Sequence, residues 1–453
     1  MGIDVSAIAG TALGVFVFIV VLVISVAWHE LGHLVPAKLF KVPVSQYMVG
    51  FWRTIWSKRV GETEYGVKWL LLGGYIRMIG MYAPERSPRA AKTGWRANLA
   101  DSAREATREE LTQYAAAAPA AGAAGGNAPT ASGKSVADRA YYKLTAPRKV
   151  IIMLGGPTMN LVLALVFLVL AQSVVGVYGY STAISGVTPC VTAEGVVDAD
   201  CGPDSRETPA QAAGLKAGDR IVAWDGHRVS TWDQFLTEIS GAKAAPTKLT
   251  VERAGKRLDF EVTPMEVAAG TPAARVIIGV SAGEWELTKQ PVTDAPGSLG
   301  RQIAASAKLY ASLPVAVWDT LVDMVEGNER RPDSPVSIVG IARISGEVAT
   351  VDVADIDVDQ NRLRWGAWLQ LAAAVNLALW MFNLLPLVPL DGGHIANALY
   401  EGGRRTFARW RGQRPLPGPA DSARLMPLTY LVVGLLILMT IILVTNDLLF
   451  WYD

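Results

Sequence analysis

The chain has 453 residues, of which 51% are hydrophobic and 18% are charged, and its mean hydropathy is +0.27. Soluble domains carry about a quarter charged residues, so this composition favours a membrane protein and excludes a chain that is disordered throughout. The 42 basic and 41 acidic residues nearly cancel, which argues against a nucleic-acid-binding protein, and two cysteines are too few for a disulfide scaffold or a four-cysteine zinc site.

Four uncharged apolar runs are long enough to cross a membrane, because about 20 helical residues span the hydrocarbon core. The runs cover residues 5–28, 150–180, 365–390 and 425–446. The first run could also be a signal peptide, but no basic residue precedes it and Lys38 follows it, so we interpret it as a retained span. The sequence therefore predicts four transmembrane helices.

The charges of the connecting loops predict the orientation of these helices. The net charge is +9 over residues 41–149, −8 over residues 181–365 and +4 over residues 401–424. Because cytoplasmic loops are enriched in Lys and Arg, we expect the first and third loops inside. Arg362 and Arg364 oppose this assignment. We expect a multi-pass protein of a bacterial cell membrane with both termini extracytoplasmic.

The first predicted segment, residues 1–40, contains an H-E-x-x-H motif, HELGH at 29–33. On a helix, His29 and His33 lie one turn apart on one face and can bind one Zn²⁺, while Glu30 lies beside the open coordination position and can take a proton from the attacking water. Helix capping or structural pairing is the alternative. Ionisable residues are costly at the end of an apolar span, so their presence indicates function.

A β-rich segment follows over residues 41–84, and we expect it at the cytoplasmic membrane face near the first helix. Its glycine pair, Gly73 and Gly74, predicts strands with glycine turns. A strand edge there could hold an unwound substrate, which makes Gly73 and Gly74 candidate substrate-binding residues. Residues 85–145 predict a flexible cytoplasmic insert, rich in Ala, Gly, Pro and Ser, with a short solvated helix over 103–114.

The second predicted transmembrane helix covers residues 146–180, and a PDZ domain outside the membrane is predicted over residues 181–275. Within residues 210–226 the pattern indicates a helical turn, a glycine turn, a strand and an Asp-Gly hairpin turn. A helix (231–239) and two strands (248–254 and 258–264) follow. This order, with the segment GLKAGDRIVAWDG, resembles PDZ domains of bacterial proteases. Such a domain binds extended peptides at a sheet edge, or it could act only as a steric plug.

The two cysteines also fall in this outer loop. Cys190 and Cys201 are eleven positions apart, and a disulfide between them is plausible outside a reducing cytosol. Two free thiols are the alternative.

The last third of the chain predicts four further segments. They are an extracytoplasmic juxtamembrane segment (276–364), a third transmembrane segment (365–400), a basic cytoplasmic loop (401–424) and a fourth transmembrane helix (425–450). The sequence thus predicts a polytopic α-helical membrane protein with four transmembrane helices, a membrane-associated β segment and one extracytoplasmic PDZ (α+β) domain.

Asp391 is the candidate third zinc ligand, because it is the one carboxylate of the third predicted transmembrane segment. It follows two prolines and precedes two glycines in NLLPLVPLDGGH at 383–394, and this composition interrupts the helix. Irregular backbone at membrane depth is tolerated only where it is buried or lines a cavity. Pairing with an Arg or a capping role is the alternative for Asp391. His394 is a rival ligand on chemistry alone.

The two motifs, HELGH and NLLPLVPLDGGH, resemble the site-2 protease family of intramembrane metalloproteases, and most closely its bacterial branch with a PDZ domain. Supporting segments are GGYIRM (73–78), GGPTMN (155–160) and PVSIVGIARISGE (335–347). The resemblance implies one zinc ion held by the two motif histidines and Asp391, with Glu30 as the catalytic base. It also implies that Asn160 and Asn383 hold the substrate backbone. Interhelical hydrogen bonds are the alternative for these two residues.

A peptide bond inside a membrane helix becomes accessible only after local unwinding into a polar cavity that holds water. We therefore expect a zinc endopeptidase that cleaves single-span membrane proteins within or near the bilayer. The resemblance implies pre-trimmed substrates, typically anti-sigma factors, in regulated intramembrane proteolysis. Lipid and a peptide at the PDZ domain are the other expected partners, with no nucleic acid. A non-catalytic PDZ-bearing scaffold is the alternative, against which Glu30 argues. A transporter is disfavoured because no inverted repeat is visible.

Overall fold

Four helices of the computed structural model are long and apolar enough to cross a membrane, and they coincide with the four predicted runs. They extend over Ala9–Leu39, Ala146–Val175, Gln360–Leu384 and Met426–Leu449. The prediction of a polytopic α-helical membrane protein is therefore confirmed. The structure describes residues 5–83, 95–117, 136–193, 195–198, 200–242, 244–268, 275–327, 334–350, 359–420 and 422–449.

Ten α-helices lie within the described residues. In chain order they are α1 Val5–Leu39, α2 Trp95–Ala117, α3 Ala146–Val169, α4 Pro209–Ala212, α5 Trp232–Ser240, α6 Ala295–Glu326, α7 Ile338–Thr350, α8 Gln360–Leu384, α9 Asp391–Trp410 and α10 Met426–Leu449. A π-helical turn at Leu170–Val175 continues α3, and 3₁₀ turns occur at Val136–Arg139, Tyr141–Lys143, Val292–Asp294 and Ser422–Leu425.

The same part of the chain contains fifteen strands. They are β1 Val44–Val60, β2 Thr63–Met78, β3 Val177–Tyr180, β4 Ile184–Val187, β5 Cys190–Thr192, β6 Val197–Asp198, β7 Ser205–Glu207, β8 Arg220–Trp224, β9 His227–Arg228, β10 Thr247–Arg253, β11 Lys256–Val262, β12 Met265–Val267, β13 Arg275–Ile277, β14 Val280–Ala282 and β15 Trp285–Thr288.

The chain divides into two units. The first unit comprises residues 1–168, 296–350 and 368–453, and the second comprises residues 169–295 and 351–367. The first unit contains the long helices and the β1–β2 hairpin. The second contains the remaining strands, together with α4 and α5.

The core of the first unit joins the end of α1 to the hairpin and to the start of α3. Apolar side chains from these elements are buried together: Leu34, Ala37, Val42, Val44, Met78, Tyr141, Leu144, Ile152 and Met153. A second cluster, with members on α3, α6 and α8, contains Ala164, Leu168, Leu299, Ala373 and Leu377. The two clusters fix α3 between the hairpin and α8, and this helix lines the site described below.

The hairpin places the glycine pair differently from the sequence prediction. The strands β1 and β2 are antiparallel and turn at Gly61, between the paired residues Val60 and Thr63. Gly73 and Gly74 lie inside β2, so the prediction of glycine turns at these positions is wrong. The reason is steric, because a Cβ on Gly74 would lie 2.8 Å from the Val26 side chain of α1. At Gly74, where β2 crosses α1, the strand carries no side chain.

The predicted cytoplasmic insert is partly folded. Its described residues form two 3₁₀ turns and α2, which contains the helix predicted over 103–114 and extends beyond it at both ends. The helix α2 is not solvated on all sides, since Ala103 packs with Ala423, Tyr82 and Met426. Most of the Ala/Gly/Pro/Ser-rich stretch at 115–133 lies outside the described residues.

The predicted third transmembrane segment is two helices. The spanning helix α8 ends at Leu384, and Asp391 is the first residue of α9 rather than a residue within a span. The residues predicted as a basic loop from 401 onward continue α9 to Trp410. The juxtamembrane segment likewise contains two helices that were not predicted from the sequence, α6 and α7.

The second unit is built around a four-stranded sheet with strand order β11-β10-β8-β9, on which α5 packs. The predicted helix and the two strands that follow it are found within two residues of their expected bounds. Asp225 and Gly226 both have positive φ, as a two-residue hairpin turn requires. Cys190 and Cys201 form a disulfide, with their Cα atoms 5.3 Å apart.

Candidate metal centre

The HELGH motif lies near the end of α1, where both histidine rings point to one place. His29 and His33 are four residues apart on this helix, and their Nε2 atoms are 3.1 Å apart. The helix is apolar before the motif and packs its last turns against the hairpin and α3, so the side chain of His33 is only 5% exposed. The spacing predicted from the sequence thus produces two converging imidazole nitrogens.

Asp391 reaches the same place from the start of α9. Its Oδ2 atom is 3.2 Å from His29 Nε2 and 3.3 Å from His33 Nε2. Gly392 and Gly393 allow this approach, because a Cβ on either would overlap or crowd the backbone that precedes Asp391. The six-residue connection from α8 therefore folds back tightly and directs the carboxylate at the two rings.

These three donor atoms lie within 4.8 Å of one another, so they could hold one metal ion. They are the group of His, Cys, Asp or Glu side chains in the described residues that meets this condition. His394, the rival ligand, does not belong to this group. The buried Oδ2 atom of Asp391 accepts no hydrogen bond within the described part of the chain. Two imidazoles and a carboxylate are a common donor set of catalytic zinc, so the residues present fit this ion.

Hydrogen bonds from α3 hold the outer edges of both rings. His33 Nδ1 is 2.7 Å from the Ile152 carbonyl oxygen, which can only accept, so Nδ1 carries the hydrogen. The Nε2 lone pair of His33 therefore faces Asp391, as a zinc ligand requires. His29 Nδ1 lies 3.1 Å from the side-chain amide of Asn160, which is 1% exposed.

Two glycines of α3 make room for the site, and in the sequence they stand out only as part of GGPTMN (155–160). A Cβ on Gly155 would overlap the Gly32 carbonyl oxygen of α1, so the two helices touch backbone to backbone. A Cβ on Gly156 would overlap His33 Nε2 and lie 2.7 Å from His29 Nε2. The signal that could have identified them is a Gly-Gly pair in a spanning helix, where small residues mark close helix contacts.

Glu30 lies next to the converging nitrogens and is 9% exposed. The strand β2 runs past it, since a Cβ on Gly74 would lie 3.2 Å from Glu30 Cγ. Gly73 is covered on its other side by the Phe51 ring, which a Cβ there would contact. The structure therefore brings the candidate base and the candidate substrate-binding strand together.

Asn383 and Asn376, two polar residues of α8, differ in their surroundings. Asn383, on the last turn of α8, donates from Nδ2 to the Leu379 carbonyl of its own helix at 2.9 Å. Asn376 forms the interhelical bond, donating to Ser25 Oγ at 2.9 Å. Substrate contact by Asn160 and Asn383 stays a prediction.

Comparisons with known proteins agree with this donor set. The chain matches the model of Peptidase family M50 over residues 17–414. The zinc metalloprotease Rip1 of Mycolicibacterium smegmatis is 30% identical over 465 aligned residues, which cover 96% of this chain and 97% of the relative. Rip1 of Mycobacterium tuberculosis (strain ATCC 25618 / H37Rv) is 31% identical over 454 residues, with the same coverage. The chain therefore belongs to peptidase family M50, the site-2 protease family that its motifs resemble, and is a zinc metalloendopeptidase.

Proposed function

We propose that this protein hydrolyses peptide bonds in the transmembrane segments of single-span membrane proteins, with zinc held by His29, His33 and Asp391. The observation that carries the proposal is the convergence of the three donor atoms within 4.8 Å beside membrane-spanning helices. Membership of a peptidase family argues against the alternative of a non-catalytic scaffold.

Glu30 is the proposed general base. Bound zinc supplies a Lewis acid that polarises the scissile carbonyl and makes water a better nucleophile. The Glu30 carboxylate then accepts a proton from the attacking water and delivers that proton to the leaving amine. One nearby group therefore serves in both proton transfers. Its position one residue after His29 and beside β2 supports this role, and its burial limits competing solvent.

The strand β2 is the proposed docking site for the unwound substrate. Residues 64–67 of β2 pair with β1 on both sides, whereas residues 74–78 pair with it on one side only, so within the described residues the other edge of 74–78 pairs with no strand. An extended peptide can add to such an edge through backbone hydrogen bonds. Gly73 and Gly74 lie on this strand beside Glu30, which would bring the substrate backbone to the base. Asn383 remains a candidate for a further substrate contact.

The experiment compares metal content and cleavage in a matched set of variants of the full chain. His29→Ala, His33→Ala and Asp391→Ala should each lower zinc content, whereas Glu30→Gln should keep zinc and lose cleavage of a single-span substrate in vesicles. The exposed pair His227 and Glu238 provides controls of the same residue types, and His227→Ala and Glu238→Gln should change neither quantity. Cleavage by Glu30→Gln would refute the base, and full zinc content in Asp391→Ala would refute that ligand.

We further propose that residues 181–275 form a PDZ domain outside the membrane and that both chain termini lie on that side. The order of α5 and its sheet strands and the Cys190–Cys201 disulfide support this, since disulfides persist in oxidising compartments. In a variant without native cysteines, an impermeant reagent applied to intact cells should label a cysteine at Gly226 and not one at Gly133. Labelling at 133 would refute the orientation.

The proposed natural substrates are stumps left by an earlier cleavage outside the membrane, typically anti-sigma factors of a bacterial envelope response. The proposed PDZ domain is inserted between the second and third spanning helices, and a folded module there can exclude an untrimmed substrate by volume alone. The bilayer is the other expected partner, because four helices of this length contact lipid.

A further inference from the structure

Asn160 lies against the outer edge of a proposed zinc ligand, although the family resemblance implies that it holds the substrate backbone. It sits on α3, its side chain is 1% exposed, and its Nδ2 atom is 3.1 Å from His29 Nδ1. The Oδ1 atom of the same amide is buried and accepts no hydrogen bond within the described residues. A buried amide oxygen left without a donor costs free energy of about 1–3 kcal/mol, so its position calls for a partner.

The hydrogen on the His29 ring decides whether this arrangement suits zinc. A neutral imidazole carries one hydrogen, on Nδ1 or on Nε2. Because Nε2 faces Asp391, a ligand role for His29 requires the lone pair at Nε2 and the hydrogen at Nδ1. Nδ1 is then a donor and needs an acceptor, which an amide NH₂ group cannot be.

A half-turn of the amide resolves both problems. The oxygen and nitrogen of a side-chain amide exchange places when it rotates by 180°, so Oδ1 then stands about 3 Å from His29 Nδ1. It accepts the Nδ1 hydrogen and gains the donor that it lacked. His33 shows the same arrangement with a backbone acceptor, the Ile152 carbonyl, eight residues earlier on α3.

We propose that Asn160 is a positioning residue for zinc, whose amide oxygen accepts the His29 Nδ1 hydrogen and thereby directs the Nε2 lone pair at the metal. This inference rests on the proposed ligand set. One helix, α3, then sets the ring orientation of both histidines, through a side chain for His29 and a carbonyl for His33. In this arrangement the amide oxygen of Asn160 bonds to the enzyme's own histidine rather than to substrate.

The test measures zinc affinity of the full chain in detergent by competition with a chelator. Asn160→Leu keeps the approximate size and removes the acceptor, and loss of such an outer partner lowers metal affinity by about 10–100-fold. Asn160→Asp retains an acceptor at the same position and should restore affinity toward that of the wild type. Zinc affinity unchanged in Asn160→Leu, with a raised KM for substrate, would overturn the proposal in favour of substrate contact.

Asn376→Leu is the matched control. Asn376 is also a fully buried amide on a spanning helix, but it bonds to Ser25 Oγ and to the Ala372 carbonyl rather than to a candidate ligand. Its replacement should leave zinc affinity unchanged. An equal loss in Asn376→Leu and Asn160→Leu would show a general effect of removing a buried amide and would overturn the proposal.

A double substitution separates this inference from the proposed function. In a His29→Ala background, Asn160→Leu should cause no further loss of zinc affinity, because the ring it orients is gone. If His29→Ala alone leaves affinity unchanged, the proposed ligand set is wrong. If His29→Ala lowers affinity and Asn160→Leu does not, only the positioning role fails.

A measurement on the wild type avoids any dependence on folding of the variants. The ¹⁵N chemical shifts of His29, in zinc-loaded protein with labelled histidine, should report a hydrogen-bonded Nδ1–H. An Nε2–H tautomer would overturn the proposal.

Discussion

A carboxylate on α9 is held by opposite charges from two parts of the fold. Glu401 is 1% exposed, and its Oε2 atom accepts from Lys149 Nζ at 2.8 Å and from the Ala420 backbone amide at 3.0 Å. Arg405, one turn later on α9, places Nη1 3.0 Å from Oε1. Lys149 stands in the first turn of α3, so this pair ties α3 to the helix that begins with Asp391.

Removing one partner of this pair should be costly. In Glu401→Gln the Lys149 ammonium, with a side chain 6% exposed, loses its counter-charge in a site that water cannot reach. Breaking a buried pair in this way costs about 3–5 kcal/mol, whereas replacing both charges by apolar groups is often close to neutral. We therefore expect Glu401→Gln to lower the free energy of unfolding by about 4 kcal/mol. Lys149→Met should cost less, because Arg405 still neutralises the Glu401 carboxylate. The double variant Lys149→Met/Glu401→Met should lose much less than the sum.

The assay is reversible unfolding in mixed micelles with increasing SDS, followed by tryptophan fluorescence. Lys143→Met is the control, because Lys143 and Asp138 are an equally short pair at 2.8 Å with side chains 40% and 55% exposed. An exposed pair contributes less than about 1 kcal/mol. The reasoning is refuted if Glu401→Gln costs no more than Lys143→Met, or if the double variant loses the full sum of the single losses.

Three further predictions concern the metal centre, the second unit and the substrates. Gly156→Ala should lower zinc affinity by more than about tenfold in chelator competition, because its Cβ would displace His33 Nε2. Gly434→Ala is the control, because open space surrounds Gly434, and its zinc affinity should not change. Equal affinities of the two variants would contradict the close contact of Gly156 with the ligands. Burial alone would raise the pKa of Asp219, but hydrogen bonds from Arg253 and a backbone amide outweigh burial and hold the pKa below its ordinary value. The ionised carboxylate therefore stabilises the folded state at pH values above its unfolded pKa. This contribution is lost as the pH falls through the folded pKa. Asp219→Asn should therefore cost about 2 kcal/mol at pH 7 in hydrogen exchange of β8 and β10, and the cost should shrink in acid; a cost that does not change with pH would contradict this. Deletion of residues 185–270 should keep zinc bound and permit cleavage of untrimmed substrates in vesicles. Continued rejection of the untrimmed form would refute the proposal that the PDZ domain excludes it by volume.

Apolar run length was enough to predict the four spans, because lipid requires long uncharged helices and little else in a sequence produces them. The same criterion extended the third span too far. Residues 385–390 are as apolar as the residues of a spanning helix, but the backbone turns there and α9 begins at Asp391. The helices α6 and α7 were missed because each mixes charged or small residues into a shorter apolar stripe.

At the site, residue type and spacing pointed to the three converging donors, since two histidines one turn apart share a face of any helix. The role of Asn160 could not be read in this way. A polar amide in an apolar helix indicates a buried partner, but which helix supplies that partner depends on packing between residues 131 positions apart. Gly73 and Gly74 were misplaced for a related reason, because a glycine required by a crossing helix has the same sequence signature as one required by a turn.

The backbone contact of Gly32 with Gly155 makes the metal centre the pivot of two spanning helices. Helices respond to bilayer thickness by tilting, and a relative tilt displaces each residue in proportion to its distance from the crossing point. A tilt of about 10° moves a residue one helical step of ~1.5 Å from the pivot by only ~0.3 Å, but moves a helix end ~30 Å away by ~5 Å. His33 and Gly156 each adjoin a pivot glycine, so their separation is the dimension of the protein least affected by the membrane around it. An enzyme built in this way can follow its lipid environment at its surfaces while His33 keeps its place against α3.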